Sequence, residues 1–556
     1  MEKKDLSFAS ISELSPLIES QEVKPSELLE SCIEQIDAQD STINAFITTT
    51  FDQAREQASI LEKEALEGKI RSPLHGIPIA IKDLFDLDGF RMTAGSKILS
   101  ENISIQTAEC IQRLIDSGAI ILGKTNLQEF ARGGTGANSY FGPSLNPWNL
   151  SRTPGGSSSG SAASVASGMA IAAIGSDTGG SVRLPASFCN LTGIRCTHGR
   201  ISRSGAVPLG MSFDDVGPIC RTVQDAVFLL QAMAGPDEKD PTTGKISSPD
   251  FSTKLKEGLE GLVLGIPTNH FWPGIDVELE QVVRNAISVF EELGAKVKEV
   301  EIPWAEKGQI AYAAVVGPES AEYHRKYLLE NRDDYVSPGA DFFEESLFVP
   351  GWRYIQAQRA RTFFIRQAAK VFQEVDAILT PTCPVDPPTI EDCLDGMKVW
   401  GEISGCTVAF STIGNPVLQV PSGFSSAGLP VGLQIAGKWG EEDKILQIGS
   451  AFEKIHPFWK KRPPVFESPQ DSNFSYEYSP LDEIGDNPLA LTTEDIVKMS
   501  IAIGYSVDPE RLKNLTGGVS RLMNSLSKLD TLEIDNCQRA DAINLLQISI
   551  EEILKS

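Results

Sequence analysis

Between residues 155 and 183 the chain is built largely from residues with little or no side chain. Two Gly-Gly-Ser corners, Gly155-Gly156-Ser157 and Gly179-Gly180-Ser181, bracket the run. Its interior (Ala162, Ala163, Val165, Ala166, Met169, then Ile171 to Ile174) reads as a tightly buried small-residue helix leading into a strand. A flexible Gly/Ser linker would not carry such an apolar interior. A phosphate loop would show Gly-x4-Gly-Lys-Ser/Thr or Gly-x-Gly-x-x-Gly, and neither occurs here. Paired glycines admit φ > 0 and let a ligand approach bare amides, and successive N–H groups in such turns converge on an anion. A serine ending the turn can attack while those amides hold the oxygen that becomes negative. That is the layout of an acyl-transfer site.

A nucleophilic serine needs a base. The chain has five histidines. His75 precedes Gly76-Ile77-Pro78-Ile79-Ala80-Ile81-Lys82-Asp83, and His198 lies in Cys196-Thr197-His198-Gly199. Neither has the Gly-x-Ser-x-Gly context of hydrolases that pair serine with histidine. Lysine is the alternative, since Ser–Lys variants of the triad exist. Lys82 follows the short apolar run Pro78-Ile79-Ala80-Ile81, which predicts a strand ending in a buried lysine. Burial disfavours the ammonium form and leaves a neutral amine able to act as base.

With these residues in hand the chain resembles the amidase signature family. The resemblance rests on residues 76–83, on Gly123-Lys124-Thr125-Asn126-Leu127-Gln128-Glu129-Phe130-Ala131, on Gly142-Pro143-Ser144-Leu145-Asn146-Pro147-Trp148, and on 155–183. Weaker matches follow in Asp376-Ala377-Ile378-Leu379-Thr380-Pro381-Thr382 and in Gly428-Leu429-Pro430-Val431-Gly432-Leu433-Gln434, so that residues 8–466 are covered. The resemblance implies a Ser–cisSer–Lys triad. Ser181 would be the nucleophile, and Ser157, in a cis peptide after Gly156, would bridge it to Lys82. Backbone amides of Thr178, Gly179, Gly180 and Ser181 would form the oxyanion hole, where losing one donor costs about 2.7–4 kcal/mol in other enzymes. Asp177 and Arg183 would brace this loop. Ala131 and Arg361 would contact substrate, Arg361 through a carboxylate. Ser159 departs from the family's usual glycine and bears on the path of the loop.

The expected fold is α/β, the amidase-signature fold, with a central mixed β-sheet layered by helices and a small C-terminal helical appendage. Strand-like 119–122 and 262–267 alternate with helical 280–293 and 354–374, and Pro25 opens a helix whose face carries Leu28, Leu29, Cys32, Ile33 and Ile36. Residues 1–466 are read as the catalytic domain. The polar stretch 467–488 is read as a linker, and 489–556 as a helical segment similar to the small partner subunit of some family members. That segment is too short to bury much apolar surface alone and is expected to wrap the main body. Residues 304–352 carry no assignable motif and are the expected place for substrate-specific walls.

Composition narrows the function. The nine cysteines form no Cys-x-x-Cys pair, the N-terminus lacks a signal-peptide pattern, and no apolar run approaches roughly 18 residues. The expectation is a cytoplasmic enzyme with reduced thiols, away from membranes, needing no metal and no cofactor. A net charge of −26 offers no general attraction to phosphate backbones, so direct nucleic-acid binding is not expected. The expected partner is a small-molecule amide, with a homodimer as an open option. Three functions compete: an amidohydrolase of a small carboxamide or ureide-type amide, a glutamine-hydrolysing subunit of a tRNA-dependent amidotransferase, and a non-catalytic scaffold. Retention of Lys82, Ser157 and Ser181 speaks against the scaffold. Ile403-Ser404-Gly405-Cys406-Thr407 lacks the aspartate that the resemblance places there in glutaminase members, so the hydrolase is the preferred reading.

Overall fold

Short apolar runs rich in Ile, Val and Ala become buried strands, and the polar, helix-periodic stretches between them become covering helices. The strands, in chain order, are β1 (Phe46–Thr49), β2 (Pro78–Lys82), β3 (Ile120–Thr125), β4 (Ala172–Asp177), β5 (Thr192–Arg195), β6 (Asp215–Cys220), β7 (Val263–Pro267), β8 (Lys296–Val300), β9 (Ala377–Pro381), β10 (Val417–Phe424) and β11 (Pro430–Gly437). They form one 11-stranded sheet in the order β1-β3-β2-β4-β6-β5-β10-β11-β9-β7-β8. The structure, a computed structural model, describes residues 3–138, 140–244, 248–335, 339–393, 397–464 and 491–532.

The sheet is mixed, and the fold is the expected α/β architecture. β2 runs parallel to both β3 and β4, whereas β6 is antiparallel to β4. That arrangement positions the site. Parallel β2 and β4 deliver their carboxyl ends, Lys82 and Asp177, to one edge of the sheet, where α/β folds collect ligand-binding residues.

Helix α1 (Ser159–Ala166) carries the small-residue run and is buried along its whole length. Gly160 shows why the run is tiny: an added Cβ would collide with the Ala45 carbonyl oxygen and lie 2.7 Å from Asn126 N. Helix α2 (Arg183–Phe188) leaves the second glycine corner. Helices α3 (Ala305–Glu330), α4 (Gly339–Ser346), α5 (Gly351–Val371) and α6 (Met397–Ile413) cover the region of the site. The predicted helix at Pro25 spans Pro25–Ile43 with its apolar face inward, and the predicted 280–293 helix spans Val277–Glu292.

Near the C-terminus lie α7 (Thr493–Ile503) and α8 (Leu512–Ser527). Thr492 and Asp495 form a capping box at the start of α7, and Gly504 ends it with φ 66°. Both helices lie against the α3–α5 face of the same chain. Tyr505 donates its hydroxyl to Glu344 Oε1 at 2.6 Å, Arg511 pairs with the same buried carboxylate, and Arg353 Nη2 donates to Asp530 Oδ2 at 2.9 Å. Ile496, Leu515, Val519, Leu526 and Leu529 are buried beneath them. The linker read at 467–488 and the end of the appendage, 533–556, lie outside the described residues.

Candidate active site

Lys82 leaves β2 fully buried, and its surroundings decide its chemistry. Nζ donates to Ser157 Oγ at 2.6 Å and to Ser176 Oγ at 2.9 Å. Burial pushes the amine down to about 7, against the opposing pull of the Asp214 and Asp177 charges. A lysine poised there exchanges a proton near neutral pH. The peptide joining Gly156 to Ser157 is cis. Ser158 N donates to Ser181 O at 3.3 Å, which holds the two serine corners together. Among the described residues no hydrogen bond joins Ser157 Oγ to Ser181 Oγ.

The turn Thr178–Ser181 is fixed from behind. Asp177 Oδ1 accepts from Gly180 N at 2.8 Å, and its other oxygen accepts from Val182 N at 3.2 Å. Burial alone would raise this carboxyl, yet Arg183 and Arg195 hold it well below the usual carboxylate range. All five Arg183 donors are used: Nε and Nη2 on Asp177, Nη2 also on Ser411 Oγ, and Nη1 on Thr407 O and Gln434 Oε1. Gly180, at φ 134°, lies against Thr407, whose Oγ1 donates to Gly179 O at 2.6 Å. With Gly180 N taken by Asp177, the amides of Thr178, Gly179 and Ser181 are without a protein acceptor among the described residues, three of the four expected at the hole.

Ser159 settles into its loop because Gly136 stands opposite. Gly136 is at φ 67°, and a Cβ there would run into Ser159 Cβ. The absent side chain at Gly136 makes room for the extra one at Ser159, the first residue of α1.

Several neighbours of the site carry no local sequence signal. Ser176 precedes the turn on β4 and shares Lys82 with Ser157. Tyr312 of α3 faces Gly179, with its hydroxyl 2.7 Å from where a Cβ would sit. Thr178 Oγ1 donates to Asp214 Oδ1 at 2.6 Å. Alternation along β4 puts Ser176 on the opposite face from Asp177, the one pattern that could have found it. Tyr312 falls inside the segment expected to wall the site.

The two expected substrate residues part company. Ala131 is buried in a turn at φ 59°, its N–H on Gln128 O at 2.8 Å, in a loop that continues to Gly134 against Gly156. Arg361 donates Nε to Thr412 O at 2.9 Å, and its guanidinium carbon lies 4.5 Å from the Phe213 ring centroid. Neither candidate histidine base is engaged with the serines. His75 Nε2 contacts the Leu61 carbonyl at 2.9 Å, and His198 Nδ1 contacts Asp215 at 3.0 Å. Among the described residues the eight cysteines are free and buried, no group of side chains could hold a metal ion, and no helix is long and apolar enough to cross a membrane.

Known proteins agree with this architecture. The Amidase family profile matches residues 27–446. A subunit of the glutamyl-tRNA(Gln) amidotransferase of Moorella thermoacetica is 36% identical over 488 residues, covering 83% of this chain and 99% of that protein. A solved structure described as a vestigial protein complex revealing the origins of an s-triazine catabolic enzyme is 30% identical at TM-score 0.77, covering 81% of this chain and 99% of its own. A bacterial aryl acylamidase of the amidase signature enzymes is 29% identical at TM-score 0.73, covering 81% and 98%. Fold and relatives define the class: an α/β enzyme acting on amide carbon–nitrogen bonds. The chain belongs to the amidase signature family.

Proposed function

We propose that the protein hydrolyses a small carboxamide or ureide-type amide through an acyl-enzyme on Ser181. The observation that carries this reading is the 2.6 Å contact between a buried Lys82, shifted to about 7, and Ser157 beside the Ser181 turn. Ser181 Oγ attacks the amide carbon and passes its proton to Ser157, which passes one to neutral Lys82. The oxyanion is met by the amides of the Thr178–Ser181 turn that Asp177 leaves free, those of Thr178, Gly179 and Ser181. The relay then runs back to protonate the departing nitrogen, and water cleaves the ester by the same route. The Ser157–Ser181 link tightens as the substrate seats, as unliganded catalytic hydrogen bonds commonly do. No metal or cofactor enters any step.

A second reading has its own support. The Moorella thermoacetica relative is part of an amidotransferase, and that likeness favours a glutamine-hydrolysing subunit over a free hydrolase. The absence of an acidic residue in Ile403-Ser404-Gly405-Cys406-Thr407 and the helices α7 and α8 carried on the same chain favour the free hydrolase. Both readings share the acyl-enzyme and differ in substrate and acceptor. Ammonia release by the isolated protein from L-glutamine and from a panel of small amides separates them. Turnover of other amides with glutamine inert supports the hydrolase, and turnover of glutamine alone supports the amidotransferase reading.

A further inference from the structure

We infer that Arg195 is a positioning residue of the acyl transfer: it holds the carbonyl side of the turn after Asp177, so that the Thr178 amide, and with it that of Gly179, faces the oxyanion. The inference rests on the amidase reading and goes beyond it, because it says what makes the free amides converge.

A trans peptide is planar, with its C=O and N–H pointing in opposite directions, so whatever fixes one carbonyl aims the next amide. Each carbonyl of this turn has its own donor. Asp177 O accepts from Arg195 Nη1, and Thr178 O lies 3.5 Å from the same nitrogen. Gly179 O accepts from Thr407 Oγ1, and Gly180 O from Leu184 N at 2.7 Å where α2 begins. The amides opposite these carbonyls are, in order, those of Thr178, Gly179, Gly180 and Ser181. Asp177 takes the third. Of the three left for an oxyanion, the helix aims that of Ser181, and Arg195 aims the other two.

Arg195 is itself fully buried and firmly held. It ends β5, forms an ion pair with Asp215 at 2.5 Å and donates Nη2 to Phe213 O at 2.9 Å. Burial opposes its charge, but Asp215 and Asp177 outweigh that and keep it protonated. Phe213 precedes Asp214, whose carboxylate takes the Thr178 hydroxyl at 2.6 Å. Backbone and side chain of Thr178 are therefore held through one ring of contacts that closes on Arg195. A cation on the carbonyl side also polarises the peptide and makes the opposite N–H a stronger donor. A lysine ammonium, compact and on a flexible stem, cannot span Asp177 O, Phe213 O and Asp215 as the planar fork does.

The test follows phosphonylation of Ser181 by an alkyl fluorophosphonate. Ser181 Oγ bonds to phosphorus, its proton passes to the Ser157–Lys82 relay, fluoride leaves, and the phosphoryl oxygen occupies the hole. Saturation kinetics separate the maximal labelling rate from the concentration of half-saturation, in the full chain and in Arg195→Lys and Arg195→Gln. Arg195→Lys should lower the maximal rate about 10- to 100-fold and leave half-saturation within about threefold. Arg195→Gln, which also loses the charge, should lower the rate further. Thermal unfolding identifies the folded variants; a role in folding alone would lower the unfolding temperature and leave the rate of the folded protein unmoved. The structure of the phosphonylated, unaltered protein tests the same point without a variant: the phosphoryl oxygen should lie within about 3.1 Å of Thr178 N and Gly179 N. An unchanged maximal rate in folded Arg195→Lys, a loss confined to half-saturation, or an oxygen held by Ser181 N alone overturns the proposal. If the unaltered protein takes no label on Ser181, the amidase reading beneath it fails instead.

Discussion

Lys82 Nζ reaches Ser157 Oγ at 2.6 Å from the end of a fully buried strand, with no carboxylate hydrogen-bonded to it among the described residues. The nearest acids act at a distance, and Asp177 and Asp214 are each held by other donors. Burial therefore wins over attraction, and the amine falls to about 7.

The first prediction is a pH profile. The ammonium form of Lys82 cannot accept a proton, so kcat/KM should be low below about pH 7, rise through it and stay level on the alkaline side. The midpoint belongs to the coupled Lys82–Ser157–Ser181 set. Lys82→Met should abolish the profile and lower the rate by at least about 10²–10⁴-fold. A rate that falls between pH 6 and 8 would contradict a neutral lysine base.

Ser176 supplies a second prediction. Its Oγ accepts from Lys82 Nζ and so favours the charged amine. Ser176→Ala should lower kcat about tenfold and move the pH midpoint to the acid side, as removal of an acceptor demands. A midpoint shifted to higher pH would show that Ser176 acts otherwise.

Arg183→Lys gives a third. Lysine offers three donors on a flexible stem and cannot satisfy Asp177, Thr407, Ser411 and Gln434 together. With the turn loosened, kcat should fall about 10²–10³-fold with little change in KM. Steady-state kinetics of the folded variant checks this. A change confined to KM would place Arg183 in substrate binding.

The appendage gives a fourth. The body 1–466 and the segment 489–556 are proposed to be separate units, joined through α7 and α8 against the α3–α5 face. A protease cut within 467–488 should leave the two pieces associated. Deletion of 489–556 removes the buried Leu515, Val519 and Leu526 and uncovers the body surface beneath them with the Glu344 carboxylate, so it should lower Tm by at least about 4 °C and promote aggregation. Scanning calorimetry and light scattering read both effects. A deleted protein that is equally stable, monomeric and equally active would make the segment a free partner-binding module.

What was legible in the chain follows physical necessity. Residues 155–183 announced themselves because only tiny side chains fit where α1 meets Ala45 and Asn126. Lys82 was legible because an apolar strand leads straight to it, and parallel pairing of β2 with β4 then sets it beside the turn. Ser176 shows only through the alternation along β4, and Tyr312 and Thr407 not at all, because their roles arise from approaches between elements far apart in sequence, which no local period encodes. Arg361 matches a family role by position, and the contact of its Nε with the Thr412 carbonyl is again one between elements far apart in sequence. Of the four expected hole amides, Gly180 N–H is taken by Asp177, a local contact that the glycine corner does not announce.

Every step of the proposed acyl transfer depends on Ser181 Oγ as the nucleophile. Incubating the protein with a fluorophosphonate and mapping the adduct by peptide mass spectrometry should place one label per chain on Ser181. Ser181→Ala should take none, while keeping the unfolding temperature of the unaltered protein. Full labelling of Ser157 or of any other serine, or undiminished labelling of Ser181→Ala, would contradict it.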